Sequence, residues 1–491
     1  MTLQHPSARF SSRRLMAALT LCCLALSTAT AQESVSPRTA LEGGLRLAVE
    51  FAGEDAKYSI PDRMRHYKVP GLSVAIIDDW EVRWSAGYGS SEATDGKPVT
   101  ERTLFQAASI SKAFVAVAAL RMRDAGLIDL DVDVQRYVRD YELPLGKQTP
   151  ENPVTFRNLL SHTSGITPGG YAGYVRGEPF PTDLEILRGE PPANSRAVSI
   201  IAIPGTEVAY SGGGYTLIEL ALQNVASEPF EALMEQWVLA PLDLSRSTFE
   251  QPIRSELESE VAAGHASNGE RVPGGWRIHP EQAAAGMWST AANIAILAAE
   301  VAKAHQGRSE LLSQETAREL LTEQLAGEAV GVVINGEGEA FAFSHAGGNV
   351  GYRAFMIMHP ATGDGAVWMA NSDSGAALGD EILRAASAVH DWPDYKPRIA
   401  TRHVVDSAKL EGLVGGYRFD ARGRPAILEV LFESPEADFA IKFPNGDVYP
   451  LTPVGPRNFV HVDTGVTVDF EGADGQETLI VYGTRAERVR N

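Results

Sequence analysis

The alternation of apolar and polar positions divides the first part of the chain into a helix, a hairpin and a second helix. Apolar runs at 72–77 and 81–84, separated by a polar turn, predict a β-hairpin. Helical periodicity over 45–67 predicts a helix in front of it. Residues 113–125 are almost wholly apolar or small and stop at Gly126, which predicts a helix whose first half is buried. Three further helices are predicted, at 214–225, 229–238 and 291–304.

Short apolar runs replace the helical periodicity later in the chain. They predict strands joined by short turns at 330–334, 341–343, 352–358 and 365–371. Before them, the Gly- and Pro-rich stretch 167–204 predicts loops with short helices. Helices that lie between an early hairpin and a late run of strands predict an α+β fold, in which helices pack on an antiparallel sheet.

The last hundred residues change character. Residues 391–407 contain two prolines and no periodicity, which predicts a linker. Beyond it, 408–491 is predicted to be an all-β domain, with turns at 444–446 and 474–475. Its predicted strands lie at 426–431, 439–443, 459–461, 466–470 and 478–482. The main domain is then expected to span 32–390.

The N-terminus, 1–31, has the pattern of a secretory signal peptide. Arg9, Arg13 and Arg14 precede an apolar run at 15–26, and a small-residue site ends at Ala31. The run is short for a membrane anchor, the competing interpretation. We expect cleavage after Ala31, a periplasmic or secreted mature protein and no stable membrane span. Both the general secretory and the twin-arginine routes remain open.

The charge, the cysteine positions and the missing motifs of the sequence argue against several classes of function. The 491 residues carry a formal net charge of −20, which argues against nucleic acid and anionic membranes as partners. Both cysteines, Cys22 and Cys23, lie within the predicted signal peptide. The mature chain would therefore lack thiol catalysis, disulfides and cysteine-based zinc sites. The sequence also has no G-x-S-x-G, no H-E-x-x-H and no other compact His/carboxylate cluster, which disfavours an α/β-hydrolase and a metal hydrolase.

Candidate chemistry begins at Ser109 and Lys112. Positions three apart share a helix face, so the lysine amine would lie beside the serine hydroxyl and take its proton if burial lowers the lysine pKa. Taken alone, S-x-x-K indicates little, because chance supplies roughly one in a chain of this length. A helix-capping Ser109 with a solvated Lys112 is the competing interpretation.

Two later segments offer partners for this pair. Tyr210 lies at a loop-to-helix junction, where a neighbouring lysine would depress its pKa and let it relay a proton. His345 ends a predicted strand and would assist a proton shuttle or hold a substrate carboxylate. Gly347 and Gly348 allow a backbone to approach a ligand and to offer N–H groups to an oxyanion. An ordinary half-buried tyrosine and a tight Gly-Gly turn are the alternatives.

Together these segments resemble the serine hydrolases of the penicillin-binding-protein and class C β-lactamase superfamily, including its peptidase S12-like members. The superfamily pattern is S-x-x-K, then Y-x-N, then K-T-G or H-x-G, matched here at 109–112, 210–212 and 345–347. The resemblance covers roughly 45–390, and further matching segments lie at 70–75, 159–165, 241–244 and 286–290. It implies a β-lactamase/transpeptidase-like antiparallel sheet flanked by helices, a helical subdomain, and a small barrel-like β domain at the C-terminus.

The resemblance also implies roles. Ser109 would attack a carbonyl, Lys112 and Tyr210 would share the base role, and His345 would line the pocket. The N–H groups of Ser109 and Gly348 would form the oxyanion hole beside Gly347. No metal or organic cofactor is implied. His162 belongs to a segment that the family shares, and we expect it to serve loop structure rather than catalysis.

Two departures from the superfamily pattern bear on the substrate. Gly212 stands where lactamases and peptidases place an amide side chain, and His345 replaces a lysine that carries a fixed charge. We therefore expect an exported serine hydrolase acting on small esters, amides or peptides. The alternatives are a β-lactamase, a D-alanyl-D-alanine carboxypeptidase or D-aminopeptidase, and a penicillin-binding sensor that acylates without turnover. The oligomeric state is left open.

Overall fold

Six antiparallel strands form the central sheet in the part of the chain that the computed structural model describes, residues 35–94, 96–420, 425–432 and 439–489. In spatial order they are Val333–Asn335, Ala342–Asn349, Tyr352–His359, Asp364–Ala370, Gly71–Asp78 and Glu81–Gly89. The predicted early hairpin and the four predicted late strands thus join one antiparallel sheet, which confirms the α+β prediction. The strand predicted at 341–343 runs on to Asn349 and carries His345 with it.

Helices cover both faces of this sheet. Alternate side chains of the strand Gly71–Asp78 point to opposite layers: Ala75 and Ile77 join the larger core, while Val74 and Ile76 join the core beneath the helix Gly375–His390. No helix in the described ranges is long and apolar enough to cross a membrane. The α-helices are Pro37–Glu42, Ile60–Tyr67, Ser111–Asp124, Phe156–Leu160, Asp183–Arg188, Gly212–Ala226, Phe230–Met234, Ala291–His305, Gln314–Leu320, Gly375–His390 and Ser407–Leu413.

The helix predicted over 45–67 is wrong in its first half. The structure has a short strand at Val49–Phe51 and begins the helix at Ile60. Ser59 caps that helix by accepting the N–H of Asp62, and a proline follows in its first turn, so the helix begins there. The strand is held instead by parallel pairing with Arg398–Ala400, a segment inside the predicted linker.

The C-terminal part forms a nearly closed sheet of nine strands among the residues described. Its two edges, Val448–Pro450 and Thr452–Pro453, are consecutive in the chain, which brings the sheet almost full circle. This confirms the barrel-like prediction. The strands, in chain order, are Gly415–Asp420, Pro425–Phe432, Phe439–Lys442, Val448–Pro450, Thr452–Pro453, Asn458–Val460, Thr467–Glu471, Thr478–Val481 and Thr484–Arg488.

A buried charge network joins this β unit to the helices. Arg63 donates to Glu381 at 2.6 Å and pairs with Asp463 of the β unit at 2.8 Å. Residues Pro37–Asn491 accordingly form one unit by their internal contacts. The division into a main domain, a linker and a C-terminal domain stays a prediction. The predicted signal peptide lies outside the described residues.

Candidate active site

Ser109 sits on a strained turn at the entrance to a buried helix. It lies in the short 3₁₀ turn Ala108–Ile110, which leads directly into the helix Ser111–Asp124. Ala108 has a φ of +49°, a region that residues with a Cβ rarely adopt, at a cost of about 1–2 kcal/mol. Ser111 holds this turn, since its hydroxyl donates to the Ala108 carbonyl at 2.6 Å and accepts the N–H of Met287 at 3.1 Å. The serine is thereby fixed by the surrounding backbone.

Lys112 lies next to the serine and forms no ion pair with any residue that the structure describes. Its Nζ is 3.2 Å from the Ser109 Oγ and donates to the carbonyl of Ala284 at 2.6 Å. The residue is only 1% exposed, and this burial lowers its pKa to about 7. The rings of Tyr210 and Tyr215 lie 5.0 and 5.2 Å from the amine and favour its charged form, but burial dominates. A large share of the amine is therefore neutral near pH 7 and has a lone pair for the serine proton.

Tyr210 is the third member of the constellation. The residue is 43% exposed, and its hydroxyl interacts with the Ser109 hydroxyl. Burial raises its pKa to about 12. The expectation that the neighbouring lysine depresses the pKa of Tyr210 is therefore wrong, because desolvation of the phenolate outweighs a lysine that is itself largely neutral. Tyr210 is a neutral phenol that can donate a proton and is poorly suited to remove one.

His162 packs against the ring of Tyr210. The two rings are 4.1 Å apart, and His162 Nδ1 accepts the N–H of Ser211 at 3.1 Å. Burial, and secondarily the charges of Lys112 and His345, place the pKa of His162 well below its usual value. A neutral ring packed under the tyrosine agrees with the structural role expected for this histidine. Its position next to the site was visible in the sequence only as a shared family segment.

His345 faces the site as a neutral ring. Its Nδ1 lies 2.7 Å from the carbonyl of Ala346, and because a carbonyl only accepts, that nitrogen carries the proton and Nε2 is left as an acceptor. Burial, with a smaller effect of the Lys112 charge, lowers the pKa of His345 to about 4. The site is thus offered a hydrogen-bond acceptor, which agrees better with the predicted help in a proton shuttle than with the second predicted role, holding a substrate carboxylate. An uncharged acceptor is unsuited to holding a substrate carboxylate.

Gly347 is required by the close packing of the strand against the nucleophile turn. A Cβ at this position would lie 2.3 Å from the carbonyl oxygen of Ala107, a distance that real Cβ contacts do not reach. At Gly348 the nearest atom would be Arg353 Nη1 at 3.6 Å, an ordinary contact. The two glycines therefore differ: the first lets the strand touch the turn that holds Ser109, and the second is free of steric demand.

Tyr171 fills the place beside Gly212. A Cβ on Gly212 would lie 2.9 Å from Cε2 of Tyr171, and the N–H of Gly212 donates to the carbonyl of Gly169 at 3.0 Å. Tyr171 is anchored through its hydroxyl, 3.0 Å from Thr216 Oγ1. An aromatic ring thus occupies the start of the space that a side chain at position 212 would need. Sequence reasoning missed Tyr171 and Ala284, because neither belongs to the three triplets.

Comparison with known proteins identifies the family of this chain. A family model described as beta-lactamase matches residues 59–390. The chain belongs to the beta-lactamase family. Hydrolysis is therefore the chemistry to which the fold is suited. Unguisins hydrolase of Aspergillus violaceofuscus is 24% identical over 245 residues, 47% of this chain and 42% of that protein. The match spans less than half the length of that curated relative.

Two solved structures extend the likeness over most of the chain. The octameric penicillin-binding protein homologue from Pyrococcus abyssi superposes with a TM-score of 0.60 at 23% identity, covering 87% of this chain and 98% of that chain. D-amino acid amidase from Ochrobactrum anthropi superposes with a TM-score of 0.57 at 18% identity, covering 72% of this chain and all of that chain. At these identities the likeness establishes the fold alone.

Substitution of the first strand glycine tests the contact between strand and turn. We expect Gly347→Ala to lower kcat/KM by about 10²-fold, because displacing the nucleophile by about 1 Å costs that much. Gly412→Ala is the control; this glycine of the helix Ser407–Leu413 has nothing within 4 Å of an added Cβ, and the variant should stay within a few-fold of wild type. Steady-state hydrolysis of a small chromogenic ester measures both. Equal losses in the two variants would contradict the steric assignment.

The burial of Lys112 predicts a pH-dependent stability difference. The pKa of about 7 in the folded chain lies below the ordinary 10.5. The unfolded chain thus binds the proton more strongly, so the burial penalty is complete below pH 7 and disappears as the pH rises toward 10.5. We therefore compare the free energy of unfolding of Lys112→Met with that of wild type at two pH values. The difference in favour of the variant should be about 2–3 kcal/mol larger at pH 6 than at pH 9.

Urea unfolding at the two pH values measures this difference. The exposed Lys409 offers a matched control, since Lys409→Met removes the same charge from a solvated site. A pH-independent effect of Lys112→Met would show that the amine is not held largely neutral.

Proposed function

We propose that this protein is an exported serine hydrolase that acts on esters or amides through a covalent acyl-enzyme. The observation that carries the proposal is the buried amine of Lys112, 3.2 Å from the Ser109 hydroxyl, with a pKa of about 7. A serine hydroxyl becomes a nucleophile when an adjacent base takes its proton. Export follows from the signal peptide predicted at 1–31, with release after Ala31 into the periplasm or the medium.

In the proposed reaction, protons are transferred by Lys112 and Tyr210. Lys112 accepts the proton as Ser109 Oγ attacks the carbonyl carbon. Tyr210, a neutral phenol in contact with the serine hydroxyl, passes its proton to the leaving group and recovers one from the protonated Lys112. In the second step the neutral Lys112 takes a proton from water as the water attacks the acyl-enzyme carbonyl, and the proton returns to Ser109 Oγ as the bond to the acyl group breaks. The negative charge that develops on the carbonyl oxygen is assigned to the N–H groups of Ser109 and Gly348.

The surroundings of the nucleophile favour a substrate without a carboxylate near the scissile bond. His345 is neutral and presents an acceptor, so the site lacks the fixed cation that a lysine supplies. Gly212 and the ring of Tyr171 replace an amide that would hold an acylamide carbonyl. An uncharged ester or amide with an apolar acyl part fits these features better than a β-lactam or a D-alanyl-D-alanine terminus.

A D-amino acid amide or peptide is the second candidate. The name of the structural neighbour D-amino acid amidase supports it, at the level of fold. A penicillin-binding sensor is the third, and it would share acylation but lack release of the acyl group. A panel of esters, D-amino amides and β-lactams separates the three.

Removal of the nucleophile is the first test. Ser109→Ala should abolish turnover of a chromogenic ester and labelling by a fluorophosphonate, while the melting temperature stays near that of wild type. Ser255→Ala, at an exposed position, is the control and should keep both activities. Turnover by the Ser109→Ala variant at the wild-type rate would overturn the proposal.

Comparison of substrates is the second test. We expect kcat/KM for nitrocefin to be about 10²-fold or more below that for a chromogenic ester, because an amide contact and a charged carboxylate contact are both missing. Hydrolysis of nitrocefin as efficient as that of the ester would favour a β-lactamase. Intact-protein mass spectrometry after exposure to a β-lactam addresses the sensor, for which a persistent adduct on Ser109 is expected.

A further inference from the structure

Three adjacent strands of the central sheet carry metal-ligand side chains at the same end. His359 closes one strand and pairs in register with Asp364, the first residue of the next. The following pair in the sheet is Gly365 with Ile77, so the antiparallel register sets Asp364 opposite Asp78. Side chains alternate along a strand, and Ile357, Ala366 and Ile76 all join the core beneath the helix Gly375–His390. His359, Asp364 and Asp78 therefore share that helix-facing side.

The last residue of the helix completes a convergent group. His390 lies over this end of the sheet, and ligand atoms of Asp78, Asp364 and His390 are all within 4.8 Å of one another. All three side chains are partly exposed, so an ion can reach them from solvent. Asp78 precedes Asp364 by 286 positions, and Asp364 precedes His390 by 26, so no short sequence motif contains the three residues.

These side chains lack other partners within the described part of the chain. None of the three forms a hydrogen bond or an ion pair there, and His390 Nε2 is buried without a partner. The neighbouring His359 is fully buried; its Nε2 lies 3.2 Å from Asp394, and its Nδ1 also has no partner among those residues. Two carboxylates held close together without a cation repel each other. A positive ion between them removes this repulsion and satisfies the imidazole.

We propose that Asp78, Asp364 and His390 form a binding site for a divalent transition-metal ion of the Zn²⁺ class. Two carboxylate oxygens and one imidazole nitrogen are ligands that zinc takes from proteins, and water fills the fourth position. Donors about 2.1 Å from a tetrahedral ion are about 3.4 Å apart, so small side-chain rotations complete the set. The imidazole selects against Ca²⁺ and Mg²⁺, which prefer oxygen ligands.

The site is remote from the nucleophile and stabilises the fold. Gly347, beside the nucleophile turn, pairs with Ala354, and five residues of extended strand, about 17 Å, separate Ala354 from His359. The metal site also lies on the opposite face of the sheet from Ser109. A bound ion joins the C-terminal end of the helix Gly375–His390 to the ends of two strands. It therefore raises stability and leaves acyl transfer unchanged.

Zinc titration of the full chain tests this site. After removal of metals with a chelator, isothermal titration with ZnCl₂ should show one saturable site per chain, and zinc should raise the melting temperature by a few degrees. Asp364→Asn and His390→Gln should each weaken the affinity by at least about tenfold and abolish the thermal shift. Ester hydrolysis by these variants should equal that of wild type.

A neighbouring carboxylate supplies the matched control. Asp391 follows His390, is fully exposed and has a φ of 52°, which asparagine tolerates well. Asp391→Asn should bind zinc as wild type does. Absence of saturable zinc binding, or equal weakening by Asp391→Asn and Asp364→Asn, would overturn the proposal. If Asp364→Asn fails to fold, Asp78→Asn provides the same comparison, and retention of wild-type affinity in that variant would overturn it as well.

Discussion

The burial of an amine without a counter-charge is the constraint on which the site depends. Lys112 lies in a layer of apolar helices, and its only hydrogen-bond partners in the described residues are the Ser109 hydroxyl and the Ala284 carbonyl. A nearby carboxylate would pair with the lysine and keep it protonated. Among the described residues the fold supplies two aromatic rings and a carbonyl instead, and the desolvated amine becomes a base near neutrality. The same burial of Lys112 lowers both the stability of the fold and the pKa of the amine.

The central sheet and the helices pack closely against each other at Ser109. The strand that carries His345 touches the turn that carries Ser109 through Gly347, and Ala108 accepts an unfavourable φ so that the chain can enter the helix. Hydrogen bonds from Ser111 to both sides of the turn hold it in place. Strain in this turn is maintained by the packing around it, which lets a short hydroxyl side chain meet its base at a fixed distance.

Local patterns predicted most of the fold and the three triplets of the site, but not their electrostatics. Strand and helix periodicity located the central sheet because each of its strands carries an apolar face. The same method failed at 45–67, where pairing of Val49–Phe51 with a distant strand overrode local helical periodicity. The raised pKa of Tyr210 and the tautomer of His345 depend on burial and on one carbonyl, which no sequence pattern specifies. Tyr171 was missed for a similar reason, since it meets Gly212 only through the tertiary fold.

The charges and amides around Ser109 bear on the substrate proposed for this chain. Here the fixed cation is replaced by a neutral histidine, and the amide by a glycine that an aromatic ring covers. Each change removes a polar contact that a β-lactam or a peptide carboxylate needs, while neither touches Ser109, Lys112 or Tyr210. A contact to a charged group contributes about 1.5–3 kcal/mol and a neutral one about 1 kcal/mol, so the loss of both weakens the binding of such substrates by several kcal/mol. Under the proposed function both changes leave the acylating residues in place, and the ring of Tyr171 beside Gly212 takes the position of a polar contact.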